Sequence, residues 1–211
     1  MTLEEVADYL RISERTVYDW AQKGDIPCGK IGTAWRFLRK DIEKWVADRL
    51  AAQPNVENVD VRLSRLLTKE RVLIFNEVTK EEALDAMIEE VAKSPLITSK
   101  VALKEGIYRR EELMSTGIGQ GVAIPHVRIK EAKDLVVAAA VCSSGIVDYE
   151  SLDAQPVQLL FMIVARDNQH ALHLKTLASI SSLLKNSFLK NMLISSACAE
   201  DFIKVIAEKE H

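Results

Sequence analysis

The sequence lacks the features of a membrane or secreted protein. Its 211 residues contain no apolar run close to the roughly 18 residues that a membrane-spanning helix needs. The opening stretch, MTLEEVADYL, is acidic and amphipathic, which is not the pattern of a secretory signal. We therefore predict a cytoplasmic protein that does not insert into a membrane.

Cysteine is also scarce. Cys28, Cys142 and Cys198 are far apart, odd in number and form no C-x-x-C pair. This arrangement argues against a disulfide framework or a cysteine zinc site and favours small apolar side chains. There is no internal repeat and no low-complexity stretch. The composition is that of an ordinary globular protein, 48% hydrophobic and 28% charged with a net charge of −3, long enough for one large or two modest domains.

Residues 1–50 have the pattern of a helix-turn-helix followed by a small β-ribbon. Thr2 begins a T-x-x-E capping box that predicts a first helix through about residue 10. Ser13 is placed to cap a second helix, and Gly24 to end it in a left-handed conformation. Two short strands around Gly32 and a helix from about residue 41 follow. This order of elements is a winged arrangement.

The remainder of the chain has an α/β pattern. Residues 51–62 have little apolar periodicity and form the predicted linker to a domain at 63–211. The apolar runs at 135–142 and 157–165 predict strands that are buried on both faces, and such strands need helices on both sides of the sheet. Helices are expected from about Thr79 to Lys93, from Ile107 to Met114, from His170 to Leu184 and from Asp201 to Ala207.

The segment RREELMSTGIGQGVAIPH, which ends at His126, carries the strongest chemical signal. Its glycines allow tight turns, a short strand is expected at 122–124, and the histidine would then lie at the C-terminal end of that strand. Neutral imidazole is a nucleophile near pH 7. Arg110, Thr116 and the glycine-rich backbone could stabilise the charge of a phosphoryl group. The residues alone leave a structural role for this histidine open.

The string STGIGQGVAIPH, with the later stretch HLKTLAS, resembles the fructose/mannitol class of phosphotransferase-system enzyme IIA domains, and within it the nitrogen-regulatory branch. The resemblance covers about residues 63–211 and implies a mixed sheet flanked by helices. It also implies the roles of five residues. These are the phosphorylated histidine His126, the active-site arginine Arg110, a second histidine in contact with the phosphoryl group, His173, and the S-T pair before the glycine loop, Ser115 and Thr116.

Two residues follow the motif directly, and a pair of histidines lies further along the chain. Val127 replaces the small residue, commonly glycine, that the family has after its histidine, and a branched side chain there could narrow the approach of a donor protein. Arg128 is interpreted as a solvated surface charge, with added positive potential as the alternative. His170 and His173 have a spacing that could hold a metal on a helix, but no carboxylate or cysteine cluster accompanies them. We expect neither a metal ion nor another cofactor.

The segments LEEVADYLRISERTVYDWAQKGDIP and KIGTAWRFLRKDIEKWV resemble the excisionase/MerR-like winged helix-turn-helix DNA-binding family over about residues 1–48. The resemblance implies a second helix in the major groove and a wing on the DNA backbone or minor groove. The candidate DNA-binding residues are Ser13, Arg15, Thr16 and Tyr18 on the recognition helix and Lys30 and Arg36 on the wing. Nine basic residues balance nine acidic ones over 1–50, so a protein-interaction module remains the alternative.

The two halves together predict a phosphorylation-responsive regulator. An HPr-like phosphocarrier would phosphorylate His126, and the added charge would change what the chain binds, DNA included. One alternative is a sugar-transport relay, a phosphotransferase component that passes the phosphoryl group to a IIB partner. The other is a binding module without phosphoryl chemistry, so whether the protein is an enzyme stays open.

Overall fold

The computed structural model describes residues 1–10, 12–51 and 61–210. The chain forms two compact units, residues 1–58 and 59–211. Most of the predicted linker, residues 52–60, lies outside the described residues, and so does Arg11. None of the described helices combines the length and the apolar character needed to cross a bilayer.

The first unit has the predicted order of elements. They are α1 (Leu3–Leu10), α2 (Glu14–Lys23), β1 (Gly29–Ile31), β2 (Ala34–Arg36) and α3 (Arg39–Ala51). The predicted capping box is present, because the Thr2 N–H donates to the Glu5 carboxylate at 2.7 Å. The Ser13 hydroxyl accepts from the N–H of Thr16 at 3.2 Å, and Gly24 ends α2 with φ at 75°. Local capping chemistry therefore fixes both ends of the helix-turn-helix.

A small apolar core unites this unit. Its buried side chains come from all three helices and from the segments that flank the strands: Val6, Ala7, Val17, Ala21, Ile26, Phe37 and Ile42. Strands β1 and β2 pair antiparallel around a turn at Gly32, whose φ is 65°. The unit is thus a helix-turn-helix with a β-ribbon wing, as predicted.

The second unit is an α/β domain. Its helices are α4 (Leu63–Leu66), α5 (Lys80–Ala92), α6 (Lys100–Leu113), α7 (His170–Leu184), α8 (Ser187–Ile194) and α9 (Ala199–Lys209), with a 3-10 turn at Lys69–Arg71. Its strands are β3 (Val72–Phe75), β4 (Gly117–Gly119), β5 (Val122–Ala123), β6 (His126–Ile129), β7 (Val136–Ile146) and β8 (Val157–Arg166).

Two helices differ from the sequence-based expectation. Helix α6 begins at Lys100 and not near Ile107. The sequence did not indicate this start, because only Leu103, Ile107 and Glu111 are buried along the helix and its apolar periodicity is weak. Helix α8 was not predicted. It is short, and its N-terminus is fixed by the side chain of Asn186, which accepts from the N–H of Leu189 at 3.2 Å.

The sheet is mixed. Within the described residues it has six strands in the order β3-β7-β8-β5-β4, and β6 also pairs with β8. Strand β3 is parallel to β7, β7 is antiparallel to β8, and both β5 and β6 run parallel to β8. The central pair is therefore the hairpin of the two long apolar strands. The glycine-rich segment lies on the side of β8 that faces away from β7.

Helices cover both faces of this central pair, as the apolar runs predicted. Side chains alternate along β7, so that Ala138, Ala140 and Cys142 pack with α5 and α6 on one face. On the other face Val137, Ala139 and Val141 pack with α7, α8 and α9. Each face of the β7–β8 pair therefore packs against its own apolar core.

Helix α6 approaches the sheet through Gly106. A Cβ built at this position would lie 2.8 Å from Cγ2 of Val127 and 3.3 Å from Cγ2 of Ile129, both on β6. The missing side chain thus makes room for the branched side chain of Val127. The unusual residue after His126 is accommodated by packing against the helix.

We expect Gly106→Ala to lower the free energy of unfolding by about 1–2 kcal/mol, because overpacking against Val127 outweighs the gain of about 1 kcal/mol in helix propensity. In a Val127→Ala background the same change should be neutral or stabilising. Urea unfolding followed by circular dichroism on all four proteins gives the coupling energy. Gly29→Ala, where a Cβ meets nothing within 4 Å, is the control. Additive effects of the two substitutions would contradict the packing account.

Candidate functional site

His126 lies at the start of a strand, not at the end of one as predicted. Strand β5 ends at Ala123 and β6 begins at His126, and both pair with β8 in the same direction. Pro125 has no N–H for the ladder, but its carbonyl still accepts from the N–H of Ile163 at 3.0 Å. The proline therefore interrupts the edge without ending it, and His126 is the residue at which pairing resumes.

The imidazole of His126 is held in one tautomer. Its Nδ1 lies 2.7 Å from the carbonyl oxygen of Ile124, which can only accept a hydrogen bond. Nδ1 must therefore carry the proton. Nε2 accepts from Nε of Arg110 at 3.3 Å, which requires a free lone pair on that nitrogen. The lone pair of the ring is thus on Nε2, and it faces a guanidinium.

The protonation state of His126 fits the same assignment. Burial lowers its pKa below the ordinary value, the hydrogen bond to Ile124 acts in the opposite direction, and the positive charge of Arg110 lowers the pKa further. The net direction is downward. Neutral imidazole therefore predominates at physiological pH, as a nucleophile requires.

A cavity of about 540 Å³ opens in front of this histidine. Arg110, Arg128, Asp167, His170 and His173 are among its lining residues. The ring of His173 lies 5.3 Å from that of His126, centroid to centroid, at an interplanar angle of 54°. The cavity thus collects three of the residues that the sequence assigned to the site.

His173 is buried, with 7% of its surface exposed, and its Nδ1 has no hydrogen-bond partner among the described residues. Burial lowers its pKa to about 4, with further contributions from His126 and Arg128. The ring is therefore neutral near pH 7. Helix α7 holds it beside His126 because Ile180 and Leu184, further along the helix, are anchored in the core.

Arg128 is one of the residues that line the cavity. It lies two residues after His126 on β6, so the two side chains share a face of the strand. Its guanidinium is exposed and forms no hydrogen bond or salt bridge within the described part of the chain. The cavity lining therefore combines two arginines and one acidic residue, Asp167, around a neutral imidazole, and the two guanidinium groups suit an anion.

Ser115 and Thr116 do not face the cavity as donors, which corrects the expectation for this pair. The Thr116 side chain is buried, and its hydroxyl donates to Glu111 at 2.6 Å and lies 2.8 Å from the hydroxyl of Tyr149. The Ser115 hydroxyl lies 3.0 Å from Glu111 and 2.6 Å from the carbonyl of Glu150. Both hydroxyls are used within the protein.

The residue that sequence reasoning missed is Glu111. Its carboxylate is 7% exposed, bonds the S-T pair and lies 3.0 Å from Nζ of Lys80. Burial raises its pKa, but the hydrogen bonds from Thr116 and the pairing with Lys80 outweigh that effect, and the net shift is downward. In RREEL this residue resembles its exposed neighbour Glu112. The S-T pair four and five residues later was the available signal.

The candidate DNA-binding residues divide into two groups. Arg15 and Tyr18 are exposed on α2, and Lys30 and Arg36 are exposed on the wing, where Nζ of Lys30 lies 4.7 Å from the centre of the Trp35 ring. The other two residues serve the helix itself. Ser13 caps α2, and Thr16 is half-buried with its hydroxyl 2.8 Å from that of Ser13, not fully exposed as expected.

Comparison with known proteins assigns the family. The model for "Phosphoenolpyruvate-dependent sugar phosphotransferase system, EIIA 2" matches residues 65–209. The chain belongs to this enzyme IIA family. A second model, for a helix-turn-helix domain, matches residues 1–50. The phosphotransferase-system resemblance and the α/β fold with an N-terminal helix-turn-helix are confirmed.

Relatives of two kinds match the enzyme IIA unit, residues 59–211. The PTS system fructose-specific EIIABC component of Bacillus subtilis is 34% identical over 71% of this chain, which spans only 24% of that protein. The nitrogen regulatory protein of Escherichia coli K12 is 31% identical over 70% of this chain and 88% of the relative. The crystal structure of nitrogen regulatory protein IIA-Ntr from Neisseria meningitidis has a TM-score of 0.62 at 25% identity, covering 68% of this chain and 98% of that one.

Across the described residues, no three His, Cys, Asp or Glu side chains lie close enough together to hold an ion. His170 is exposed on the cavity wall, whereas His173 is buried. The two histidines of the suspected pair therefore differ in environment.

We expect acid to destabilise the enzyme IIA unit through His173. Between pH 6.5, the ordinary pKa of histidine, and about 4, the unfolded chain takes up a proton that the folded protein excludes, so stability falls as the pH is lowered. Relative to His173→Gln, the wild type should lose up to about 3 kcal/mol across this window. Urea unfolding at pH 7.5 and 4.5 measures it. The same pH dependence in both proteins would show that His173 does not contribute.

Proposed function

We propose that His126 accepts a phosphoryl group from the phosphohistidine of an HPr-like phosphocarrier in the cytoplasm. The observation that carries the proposal is the fixed tautomer of His126. The Nδ1 proton is committed to the Ile124 carbonyl, and the lone pair of Nε2 faces Arg110. Membership of the enzyme IIA family supports the same chemistry.

The transfer needs no general base in this geometry. The donor phosphohistidine carries a proton on its other ring nitrogen in this scheme. The Nε2 lone pair forms the new N–P bond while the N–P bond of the donor breaks, and the electron pair of that bond returns to the donor nitrogen, so the donor imidazole leaves as a neutral ring. Nδ1 of His126 keeps its proton throughout. The positive charge that develops on the ring is stabilised by the Ile124 carbonyl at 2.7 Å. Arg110 can turn from Nε2 to the phosphoryl oxygens and stabilise their charge.

Arg128 and His173 complete the proposed acceptor site. Arg128 supplies a second guanidinium from the same strand face as His126. Neutral His173 can donate one N–H to a phosphoryl oxygen, and its ring limits the space next to His126. Ser115 and Thr116 act indirectly in this scheme, through the backbone that leads to His126.

We expect His126→Gln to abolish the acid-labile phosphoryl adduct formed with phosphoenolpyruvate, enzyme I and an HPr-type carrier. Arg110→Gln should slow its formation about 100-fold, because an electrostatic donor to the transferring group is lost. Arg109→Gln removes the same charge at the exposed neighbouring position and should leave the rate unchanged. An adduct that persists in His126→Gln would place the acceptor elsewhere.

We further propose that phosphorylation regulates DNA binding. Residues 1–50 would be the DNA-binding domain, 51–62 the linker and 63–211 the phosphoryl-acceptor domain. The helix-turn-helix match and the exposure of Arg15, Tyr18, Lys30 and Arg36 support this assignment. Similarity to nitrogen regulatory proteins over most of their length favours regulation. Similarity to a fructose-specific EIIABC component keeps a relay to a IIB partner as the second candidate.

Arg15→Ala combined with Arg36→Ala should weaken binding to the genomic DNA fragments that the wild type retains. If each arginine contacts one phosphate, the slope of log K against log salt should decrease by about 2. Arg65→Ala with Lys209→Ala makes the same charge change in the other unit and should leave the slope unaltered. Equal slopes for both double variants would rule out the groove assignment. Transfer to a IIB protein without any DNA binding would favour the relay.

A further inference from the structure

We propose that Glu111 is a positioning residue that fixes both groups of the acceptor site, the imidazole of His126 and the guanidinium of Arg110. Its effect on phosphoryl transfer rests on the proposed function. Its effect on the tautomer of His126 does not, because that tautomer exists in the unphosphorylated protein. The two can therefore be tested separately.

The carboxylate of Glu111 accepts from three donors, and a fourth, the Ser115 hydroxyl, shares its single proton between Glu111 and the nearer carbonyl of Glu150 at 2.6 Å. The N–H of Thr116 lies 3.1 and 3.2 Å from its two oxygens, and the Thr116 hydroxyl donates at 2.6 Å. The Ser115 hydroxyl lies at 3.0 Å, and so does Nζ of Lys80. A buried carboxylate with this many donors holds the attached segment in one place, because releasing any donor leaves a buried charge less satisfied.

One arm of this network leads to His126. The carbonyl of Thr116 accepts from the N–H of Ile124 at 3.0 Å, and the carbonyl of Ile124 accepts from Nδ1 of His126 at 2.7 Å. Each peptide group fixes the plane of the next. Displacing Thr116 from Glu111 would therefore move the carbonyl that selects the tautomer of His126.

The other arm leads to Arg110. This residue precedes Glu111 in the last turn of α6, and its Nη1 donates to the carbonyl of Met114 at 2.7 Å. Met114 is extended, so the chain leaves the helix there, and Ser115 is the next residue bound to Glu111. The Met114 carbonyl, which orients the guanidinium of Arg110, therefore belongs to the residue just before Ser115, whose hydroxyl contacts the Glu111 carboxylate.

The charge of Glu111 is balanced from behind the site. Nζ of Lys80 pairs with it and lies 4.7 Å from the ring centre of Tyr149. The hydroxyl of Tyr149 donates to the hydroxyl oxygen of Thr116, since the Thr116 proton is directed to Glu111. Two further elements, the N-terminus of α5 and the loop after β7, therefore support the same carboxylate.

The test is the tautomer of His126 by ¹⁵N NMR of the unphosphorylated protein, followed by the rate of phosphoryl transfer. In the wild type we expect the Nδ1–H form. Glu111→Gln should introduce the Nε2–H form and slow transfer roughly 10- to 100-fold, the scale that a small misplacement of reacting groups causes. Glu112→Gln, at the exposed neighbouring position, should change the rate less than about twofold.

Thr116→Val provides a second variant if Glu111→Gln does not fold. It removes the hydroxyl but keeps the N–H, so it should shift the tautomer in the same direction by less, and Thr116→Ser should restore the wild-type spectrum. A folded Glu111→Gln with the wild-type tautomer and rate would overturn the proposal, as would an unchanged tautomer in Thr116→Val. If the wild type accepts no phosphoryl group, the proposed function fails while the tautomer comparison still decides the role of Glu111.

Discussion

The hydrogen bond from Nδ1 of His126 to the carbonyl of Ile124 spans only two residues, and the chemistry of the cavity depends on it. It leaves the proton on one nitrogen and the lone pair on the other. Arg110 can face that lone pair only while this tautomer persists. The interrupted strand edge makes the bond possible, because Pro125 breaks the ladder just where the carbonyl must turn towards the ring.

The strand edge is in turn held by the double-sided core. Strand β8 pairs with β7 on one side and with β5 and β6 on the other, and helices cover both of its faces. A side chain that begins a strand on such a scaffold, as His126 does, has little freedom. The neighbouring histidine, His173, comes from α7, a helix that packs on the face opposite to α6. The site is therefore built where elements from both layers meet the same edge.

Much of the architecture followed from the sequence because local signals agreed with the fold. The capping box at Thr2 formed as predicted, the helix expected from about Thr79 begins there, and the two continuous apolar runs became β7 and β8. The start of α6, the whole of α8 and the strand β6 were missed. These elements are short or weakly amphipathic, and pairing and packing determine them more than their own residues do.

The site was predictable only in part, for a similar reason. The glycine-rich motif indicated His126, and the family pattern added Arg110 and His173, which the fold brings together. Donor residues that act within the protein were harder to assign. The hydroxyls of Ser115 and Thr116 looked available, but that of Thr116 donates to Glu111 and that of Ser115 is shared between Glu111 and the carbonyl of Glu150. The sequence context of Glu111 is that of a surface helix end. Burial of one turn of α6 decides that difference, and the S-T pair that follows was its only trace in the sequence.

The complementary volumes at Gly106 and Val127 have a consequence for the substitutions that the two positions tolerate. Valine can enter at 127 without strain only where position 106 already lacks a side chain. Once it is present, position 106 is no longer free to change. The two positions are therefore coupled. A side chain can be added at 106 without strain only after the valine at 127, next to His126, has been replaced by a smaller residue.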